Sequence, residues 1–229
     1  MKQITLPFKI SRQYNFDNFI SANNNLLIHN LKNLEKDIFQ FIWIWGGSRI
    51  GKSHLLQSTC SYYKDYRAMY LPLKLYKEEG PRILEGLSKI DLLVIDDIDL
   101  VINQSSWDNM LFNLYNELES NEASLLASSS CPPISISYSL PDLRSRVLGA
   151  SIFHVKPLED SLIKEVLVRQ AQDRGMELTE RTAQYLLNYI KRDMSDISSC
   201  LDKLDLASLT EKKKLTIPFV KSVLFDKQI

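Results

Sequence analysis

The sequence predicts an α/β fold in which a parallel five-stranded sheet, flanked by helices, precedes a small all-α domain. Up to Val155, short apolar runs with the length of strands alternate with segments of helical periodicity, which is typical of parallel sheets. Beyond Pro157 the apolar residues recur only at helical spacing. We therefore expect a short N-terminal segment over residues 1–10, an α/β domain over 11–156 and a helical lid domain over 157–229.

Each predicted strand is a short apolar run bounded by polar or turn residues. The runs are Phe41 to Trp45, Arg67 to Leu71, the apolar part of Ile90 to Asp99, Ser124 to Ser128, and Ser151 to Val155. The predicted helices have apolar residues three and four positions apart. They cover Leu26 to Leu34, a run from His54 to about Lys64, Glu78 to Leu87, a stretch beginning at Ser105 or Ser106, Asp160 to Arg174, Thr179 to Ile190, Ser195 to Leu209, and a last one near Pro218.

Composition and charge exclude several classes of protein. Of 229 residues, 45% are hydrophobic and 24% are charged, which excludes a disordered chain. The 28 basic and 28 acidic residues cancel, so a uniformly basic surface for DNA is not expected. Three widely separated cysteines indicate reduced thiols rather than a disulfide framework or a zinc site. Because no apolar run approaches the roughly 18 residues of a spanning helix, we expect a soluble, cytoplasmic protein that contacts no membrane.

A glycine-rich motif follows the first predicted strand. It matches the pattern Gly-x-x-x-x-Gly-Lys-Ser and consists of Gly46, Gly47, Ser48, Arg49, Ile50, Gly51, Lys52 and Ser53, with His54 next in the following helix. Gly46 and Gly51 allow a tight turn whose backbone N–H groups point inward at an anion. Lys52 is expected to contact the β- and γ-phosphates of a nucleotide, and Ser53 to ligate Mg²⁺. With a strand before it and a helix after it, the motif predicts a phosphate-binding loop rather than an ordinary glycine turn.

A buried strand that ends in acidic residues is the second informative stretch. The apolar run Leu92 to Ile95 is followed directly by Asp96 and Asp97. Ligands of open α/β sheets bind at the carboxyl ends of the strands, where these side chains emerge. We expect Asp96 to hold the Mg²⁺ shell through water and Asp97 to polarise an attacking water. The alternative is a solvated turn. This interpretation is the weaker one, because a complete phosphate loop precedes the strand.

Two N-terminal segments have two interpretations each. Phe16 and Phe19 either form an apolar slot for a nucleotide base or belong to the core. The first eight residues contain Gln3, Leu6 and Phe8, and a proline prevents a helix from continuing through them. They either dock as an extended strand on a partner, or form a frayed start or an edge strand of their own domain.

Two polar stretches after the fourth predicted strand are candidates for contact with phosphate. Ser130 either senses a γ-phosphate or belongs to a serine-rich turn. Arg144 and Arg146 lie on a short helix that begins at about Leu140, and at this spacing they face different directions. Exposed arginines commonly serve only solubility. In an assembling ATPase, however, an arginine in this region acts on a neighbouring subunit's nucleotide.

Taken together, these motifs resemble those of the AAA+ ATPases, specifically the branch of the initiator DnaA. The resemblance rests on the phosphate loop, the acidic strand end, the helix with the pattern Leu-Pro-Asp-Leu-x-Ser-Arg and the helical lid. Tyr14 to Phe19 is similar to that branch's Phe-Asp-Asn-Phe segment near the adenine. Over nearly its full length the chain resembles the DnaA-related regulatory inactivators, the Hda family, in which neither a partner-binding domain precedes this region nor a DNA-reading domain follows it.

The resemblance implies a function in replication. It implies that Gln3, Leu6 and Phe8 bind the sliding clamp, which is the β subunit of DNA polymerase III. The protein would then contact DNA mainly through the clamp. It implies that Arg146 is an arginine finger that acts in trans on ATP held by DnaA, which makes the protein a negative regulator of initiation. Its own ADP or ATP, with Mg²⁺ held by Ser53 and Asp96, would then gate this activity.

Two positions depart from the family's pattern. The first sensor, an aspartate in relatives, is Ser130 here, and the second sensor, an arginine in relatives, aligns with Ser195. Without that cation near the γ-phosphate we expect weak intrinsic hydrolysis and an active ADP form. The alternative is an autonomous ATPase such as a helicase loader of the DnaC type, which intact Lys52, Asp96 and Asp97 favour. A P-loop kinase is disfavoured because no phosphoacceptor pocket is visible, and pairing of the protein with itself is left open.

Overall fold

The computed structural model describes residues 14–190, 194–211 and 213–224, and for 160, 161, 194 and 195 it describes the backbone only. The predicted clamp-binding residues Gln3, Leu6 and Phe8 lie outside this part of the chain. The chain divides into two compact units, Met1–Lys156 and Pro157–Ile229.

A parallel five-stranded sheet organises the first unit, as predicted. The strands are β1 (Phe41–Trp45), β2 (Ala68–Pro72), β3 (Leu92–Asp96), β4 (Ser124–Ser129) and β5 (Ser151–His154). They are hydrogen-bonded in the order β2-β3-β4-β1-β5. In this register Trp45 pairs with Ser129 and with His154, and Pro72 pairs with Asp96. The carboxyl ends of the strands therefore meet at one edge of the sheet, which we call the carboxyl edge, and their starts lie at the opposite, amino edge.

Helices cover both faces of the sheet. They are α1 (Asn25–Lys32), α2 (Lys52–Tyr62), α3 (Leu73–Tyr76), α4 (Ser105–Ser120) and α5 (Pro141–Leu148). The predicted helix from Glu78 to Leu87 is wrong, because this segment forms the short 3-10 turns Lys77–Glu79 and Pro81–Leu84 followed by another over Leu87–Lys89. Pro81 explains the difference, since it lacks a backbone N–H and disfavours helical backbone in the residue before it.

The core lies on both faces because side chains alternate along each strand. Leu93 and Ile95 of β3 belong to one cluster with Trp43 and the apolar face of α4. Leu92 and Val94 belong to the other cluster, with α1 and α2. All four β3 side chains are fully buried, which explains why the sequence shows a continuous apolar run rather than an alternating one.

A buried carboxylate on α4 secures the chain where α5 begins. The Asp108 side chain is fully buried, and its Oδ2 accepts hydrogen bonds from the Ser139 backbone N–H (2.7 Å), the Ser139 hydroxyl (2.7 Å) and the Leu140 N–H (3.3 Å). Its Oδ1 accepts one from the Asn103 N–H at 3.0 Å. The start of α5 is therefore held against α4 by a buried carboxylate whose two oxygens both accept hydrogen bonds.

The second unit is helical, as predicted. Its helices are α6 (Asp160–Asp173), α7 (Glu180–Leu187), α8 (Met194–Glu211) and α9 (Ile217–Leu224). They enclose a core of their own that includes Leu167, Leu186, Leu201 and Val220. The Thr179 hydroxyl caps α7 by accepting a hydrogen bond from the Thr182 N–H at 3.3 Å. Throughout the described ranges, every helix is too short or too polar to cross a bilayer.

Candidate functional site

The glycine-rich motif forms a tight loop between β1 and α2 at the carboxyl edge. Gly46 has a φ of 155° and Gly51 a φ of 100°. A Cβ at Gly46 would lie 2.3 Å from the Ile50 Cδ1, and one at Gly51 would lie 2.8 Å from the Phe19 Cε2. A Cβ at Gly47 would meet nothing within 4 Å. The loop therefore requires glycine at the two outer positions, as predicted, and only tolerates it at Gly47.

Lys52 places its ammonium inside this loop. Its Nζ donates hydrogen bonds to the carbonyl oxygens of Gly46 and Gly47, both at 2.7 Å, and the residue is buried. Ser48, Arg49 and Ser53 are exposed, while Ile50 is half-buried against the core. A buried cation surrounded by loop backbone at a helix N-terminus is the arrangement that binds phosphate groups.

The two aspartates at the end of β3, Asp96 as its last residue and Asp97 directly after it, have different environments. Asp96 is buried, and its Oδ1 accepts a hydrogen bond from the Ser128 hydroxyl, while its Oδ2 accepts one from the Tyr70 hydroxyl at 2.5 Å. Asp97 has left-handed backbone, with a φ of 57°, and its N–H donates to the Ser128 Oγ at 2.9 Å. Burial raises the pKa of Asp97, the charge of Asp96 raises it further, and the ammonium of Lys52 opposes the rise.

These groups suit the chemistry predicted for them. Mg²⁺ at nucleotide sites is held by one or two protein oxygen ligands together with phosphates and water. Ser53, at the start of α2, and Asp96 supply such oxygens, and Lys52 supplies a cation for phosphate. Asp97 follows Asp96 directly and supplies the carboxylate that was predicted to polarise a water.

The two predicted aromatic residues occupy different positions. The Phe19 ring packs against Gly51 and contacts the His54 ring edge-to-face, with centroids 5.3 Å apart. Phe16 is buried in the core cluster beside α1 and α2, and the Lys32 ammonium lies 5.0 Å from its ring centroid. Phe19 is therefore the one that borders the phosphate loop, whereas Phe16 packs in the core beneath it.

His54 connects the N-terminal segment to the phosphate loop. Its Nε2 lies 3.1 Å from the Asn15 carbonyl oxygen and 2.9 Å from the Asn18 Oδ1, and its ring contacts Tyr14 with centroids 4.9 Å apart. Burial lowers the pKa of His54, and the hydrogen bond with Asn15 opposes this effect. The predicted adenine segment is thus anchored to the first turn of α2 by a histidine that burial favours in its neutral form.

The first predicted sensor is paired within the chain. The backbone N–H of Ser130 donates to the Asp99 Oδ2 at 3.0 Å, and its hydroxyl donates to the same oxygen. The pairing of Asp99 with Ser130 was not predicted. It arises because Asp99 follows β3 and Ser130 follows β4, and these two strands are neighbours in the sheet. Ser195, the second predicted sensor, lies in the first turn of α8, and its side chain is outside the described part of the structure.

Arg146 lies in the last turn of α5, and Arg144 is exposed on the same helix. The Arg146 side chain is 42% exposed, its Nη1 is 3.5 Å from the Glu119 Oε2, and its guanidinium carbon is 5.1 Å from the Tyr115 ring centroid. Because α5 ends just before β5 starts, and α4 just before β4 starts, this cluster lies at the amino edge. The phosphate loop lies at the carboxyl edge, so Arg146 and the nucleotide site of its own chain lie at opposite edges of the sheet.

The chain is a P-loop protein of the AAA+ class. Four features define this class here: the sheet order, the phosphate loop, the acidic end of β3 and the helical lid. Residues 10–152 match the family described as the bacterial DnaA ATPase domain, and residues 160–224 match the family described as Hda, lid domain. The first match covers more than half of the chain, and the chain therefore belongs to the DnaA-related AAA+ family. The resemblance inferred from the motifs is thereby confirmed.

Individual relatives agree with this assignment. An uncharacterised protein of Haemophilus influenzae is 36% identical over 227 residues, which cover 97% of this chain and 98% of that protein. The crystal structure of domain III of the replication initiation protein DnaA from Thermotoga maritima superposes with a TM-score of 0.79 at 22% identity, covering 96% of this chain and 98% of that one. AMPPCP-bound DnaA from Aquifex aeolicus gives a TM-score of 0.71 at 19% identity, covering 89% and 68%. At these identities the two structures show the shared fold.

Proposed function

We propose that this protein is a nucleotide-gated negative regulator of replication initiation in the cytoplasm. It docks on the sliding clamp of DNA polymerase III through Gln3, Leu6 and Phe8 and stimulates hydrolysis of ATP held by DnaA. Arg146 supplies the guanidinium for that hydrolysis in trans. ADP, with Mg²⁺, is the nucleotide of the active form, and intrinsic hydrolysis is weak.

The position of Arg146 carries this proposal. The guanidinium is partly exposed at the amino edge of the sheet, while the chain's own phosphate loop lies at the carboxyl edge. An arginine in this position is available to a second molecule that docks its nucleotide site against α5. A guanidinium supplied in trans neutralises transition-state charge on the transferred phosphate and is worth on the order of 10³ to 10⁵ in rate.

The nucleotide-binding role is supported by the geometry of the loop. Lys52 and the N–H groups of the loop would contact the phosphates, and Ser53 and Asp96 would hold Mg²⁺. When bound, the ion neutralises phosphate charge and fixes the phosphates relative to the loop. A Cβ at Gly46 or Gly51 would collide within the cradle, so its shape depends on these two residues. The related DnaA from Aquifex aeolicus has been solved with AMPPCP.

The test is hydrolysis of DnaA-bound ATP in the presence of clamp-loaded DNA. Arg146→Ala is expected to lower the stimulated rate by about 10³-fold or more, because the trans cation is removed. Arg144→Ala, on the same helix and also exposed, is the matched control and is expected to retain most of the rate. Gln3→Ala is expected to lower the rate by weakening clamp docking. Retention of the full rate by both Arg146→Ala and Gln3→Ala would show that this proposal is wrong.

A second candidate is an autonomous ATPase such as a helicase loader of the DnaC type. The observation in its favour is that Lys52, Asp96 and Asp97 are all present and close together, as an enzyme with its own turnover requires. Steady-state hydrolysis by the isolated protein discriminates between the two. Rapid turnover without DnaA, lost in Lys52→Ala, would favour the autonomous ATPase, whereas slow turnover with tight ADP binding favours the regulator.

A further inference from the structure

A tyrosine of β2 lies between the two residues expected to hold Mg²⁺. Tyr70 is 5% exposed, and its hydroxyl donates to the Asp96 Oδ2 at 2.5 Å. The other carboxylate oxygen of Asp96 accepts from the Ser128 hydroxyl. Both oxygens of this buried carboxylate are therefore engaged by hydroxyl groups from the neighbouring strands on either side of β3. The Asp96 side chain cannot rotate without breaking both hydrogen bonds.

The same tyrosine contacts α2, the helix that begins at the phosphate loop. The side chains of Ser53 and Gln57 hydrogen-bond to the Tyr70 hydroxyl. Burial raises the pKa of Tyr70, as do the charge of Asp96 and the hydrogen bond to it, while the bonds with Ser53 and Gln57 oppose the rise. Tyr70 thus donates to Asp96 and is also hydrogen-bonded to the side chains of Ser53 and Gln57 on α2.

We propose that Tyr70 is a positioning residue that orients Ser53 and Asp96 for Mg²⁺. In this role the Ser53 hydroxyl donates its single proton to the Tyr70 oxygen, which leaves both of its lone pairs available to a cation. The hydrogen bond from Tyr70 to Asp96 fixes the carboxylate at the same time. This inference rests on the proposed nucleotide site and adds a residue to it that no phosphate-loop motif contains.

The test separates Mg²⁺ affinity from nucleotide affinity. Tyr70→Phe keeps the ring and removes only the hydroxyl. We expect Mg²⁺ to bind the ADP complex about tenfold more weakly in this variant, since residues that orient metal ligands contribute 10- to 100-fold to affinity. The affinity for a fluorescent ADP analogue in EDTA should stay within about twofold of wild type, because the hydroxyl acts on the metal ligands and not on Lys52.

Tyr63→Phe is the matched control. The Tyr63 hydroxyl donates to the Leu31 carbonyl oxygen at 3.1 Å and accepts from the Leu34 N–H at 2.6 Å, away from the phosphate loop. This variant also loses a hydrogen-bonded tyrosine hydroxyl, and its Mg²⁺ affinity should match wild type. If Tyr70→Phe matches wild type as well, or weakens ADP binding equally with and without Mg²⁺, the inference is overturned.

A second measurement applies if Tyr70→Phe does not fold. 3-Fluorotyrosine incorporated at position 70 keeps the hydroxyl, and its fluorine resonance should shift when Mg²⁺ is added to the ADP complex. An unchanged resonance would overturn the positioning role. If the wild-type protein binds no ADP in the first place, the nucleotide site itself is wrong, and this outcome is distinct from a failure of the Tyr70 inference alone.

Discussion

Gly51 shows at the scale of a residue how the phosphate loop depends on the absence of a side chain. Its backbone has a φ of 100°, and the space that a Cβ would occupy is filled by the Phe19 ring. The same contact joins the loop to the predicted adenine segment. A substitution here therefore acts on the loop backbone and on the aromatic residue beside it at once.

We expect Gly51→Ala to destabilise the protein by about 1–2 kcal/mol, because an L-residue is strained in left-handed backbone. It should also weaken ADP binding, since the loop must shift to admit the methyl group. Gly47→Ala is the matched control, because its Cβ meets no neighbour within 4 Å, and it should change the free energy of unfolding by less than about 0.5 kcal/mol. Urea denaturation measures the free energy of unfolding of both variants. Equal effects of the two substitutions would contradict this account of Gly51.

His54 makes stability depend on pH in a defined direction. Burial lowers its pKa in the folded protein, so the unfolded chain takes up the proton first as pH falls. The free energy of unfolding should then decrease below about pH 6.5, by at most about 1.4 kcal/mol per pH unit. His54→Gln should flatten this decrease, and His29→Gln, at an exposed position of α1, should retain it. Parallel curves for wild type and His54→Gln between pH 5 and 8 would refute the prediction.

The residues that the sequence predicted at the site are those of local motifs. Lys52 and Asp96 can be found because each lies at a fixed place in a contiguous pattern that fold and chemistry both require. Tyr70 and Asp99 were missed because their contacts come from strand pairing between segments far apart in the sequence. Phe16 could not be distinguished from a core residue, since an aromatic side chain suits a core and a base pocket equally well.

At the scale of elements, α4 supports α5 along one face. Asp108, Tyr115 and Glu119 are spaced seven and four residues apart, which places them on the same side of a helix. Asp108 binds the chain before α5, while Tyr115 and Glu119 contact Arg146 in its last turn. The helix that carries the arginine is thus held near both of its ends by one neighbour.

Glu119→Gln tests what the ion pair does to the arginine. Partly exposed pairs contribute about 0.2–1 kcal/mol, so the unfolding midpoint should barely change. If Arg146 must leave Glu119 to reach the nucleotide of DnaA, removing the pair should raise the stimulated rate of ATP hydrolysis by up to about fivefold. Glu117→Gln, at an exposed position of the same helix, should leave the rate unchanged. A rate below wild type in Glu119→Gln would instead mean that the carboxylate aligns the arginine.

The sequence predicted the strands correctly, because burial determines their residue pattern. It predicted one helix wrongly, because a proline changes the backbone hydrogen bonding there. The strands were found because a sheet covered on both faces requires continuous apolar runs. The segment from Glu78 to Leu87 has helical spacing, but Pro81 interrupts the hydrogen-bond pattern that a helix needs. Spacing of apolar residues alone does not reveal such an interruption.

At the scale of the whole molecule, each of the two units has a hydrophobic core of its own residues. All three tryptophans, Trp43, Trp45 and Trp107, lie in the first unit. Tryptophan emission therefore reports on the first unit, while far-ultraviolet circular dichroism reports on the helices of both. The two signals allow the units to be followed separately in one sample.

Leu201→Ala is expected to destabilise the second unit by about 2–5 kcal/mol, because Leu201 is fully buried in its core. Helical circular dichroism should then decrease at temperatures where tryptophan emission is still native. Leu126→Ala, at a fully buried position of β4, is the counterpart in the first unit and should lower the midpoint of the emission change. Coincident transitions in Leu201→Ala would show that the two units unfold as one.

The hydrogen bonds that Asp108 accepts have a consequence for association. They form when the chain folds, so the direction of α5, and with it the approach of the guanidinium, is determined before any second molecule arrives. Less conformational freedom is then lost during the encounter. Preorganisation of this kind strengthens binding to a docking partner without any added contact, because α5 does not have to be ordered at the moment of association.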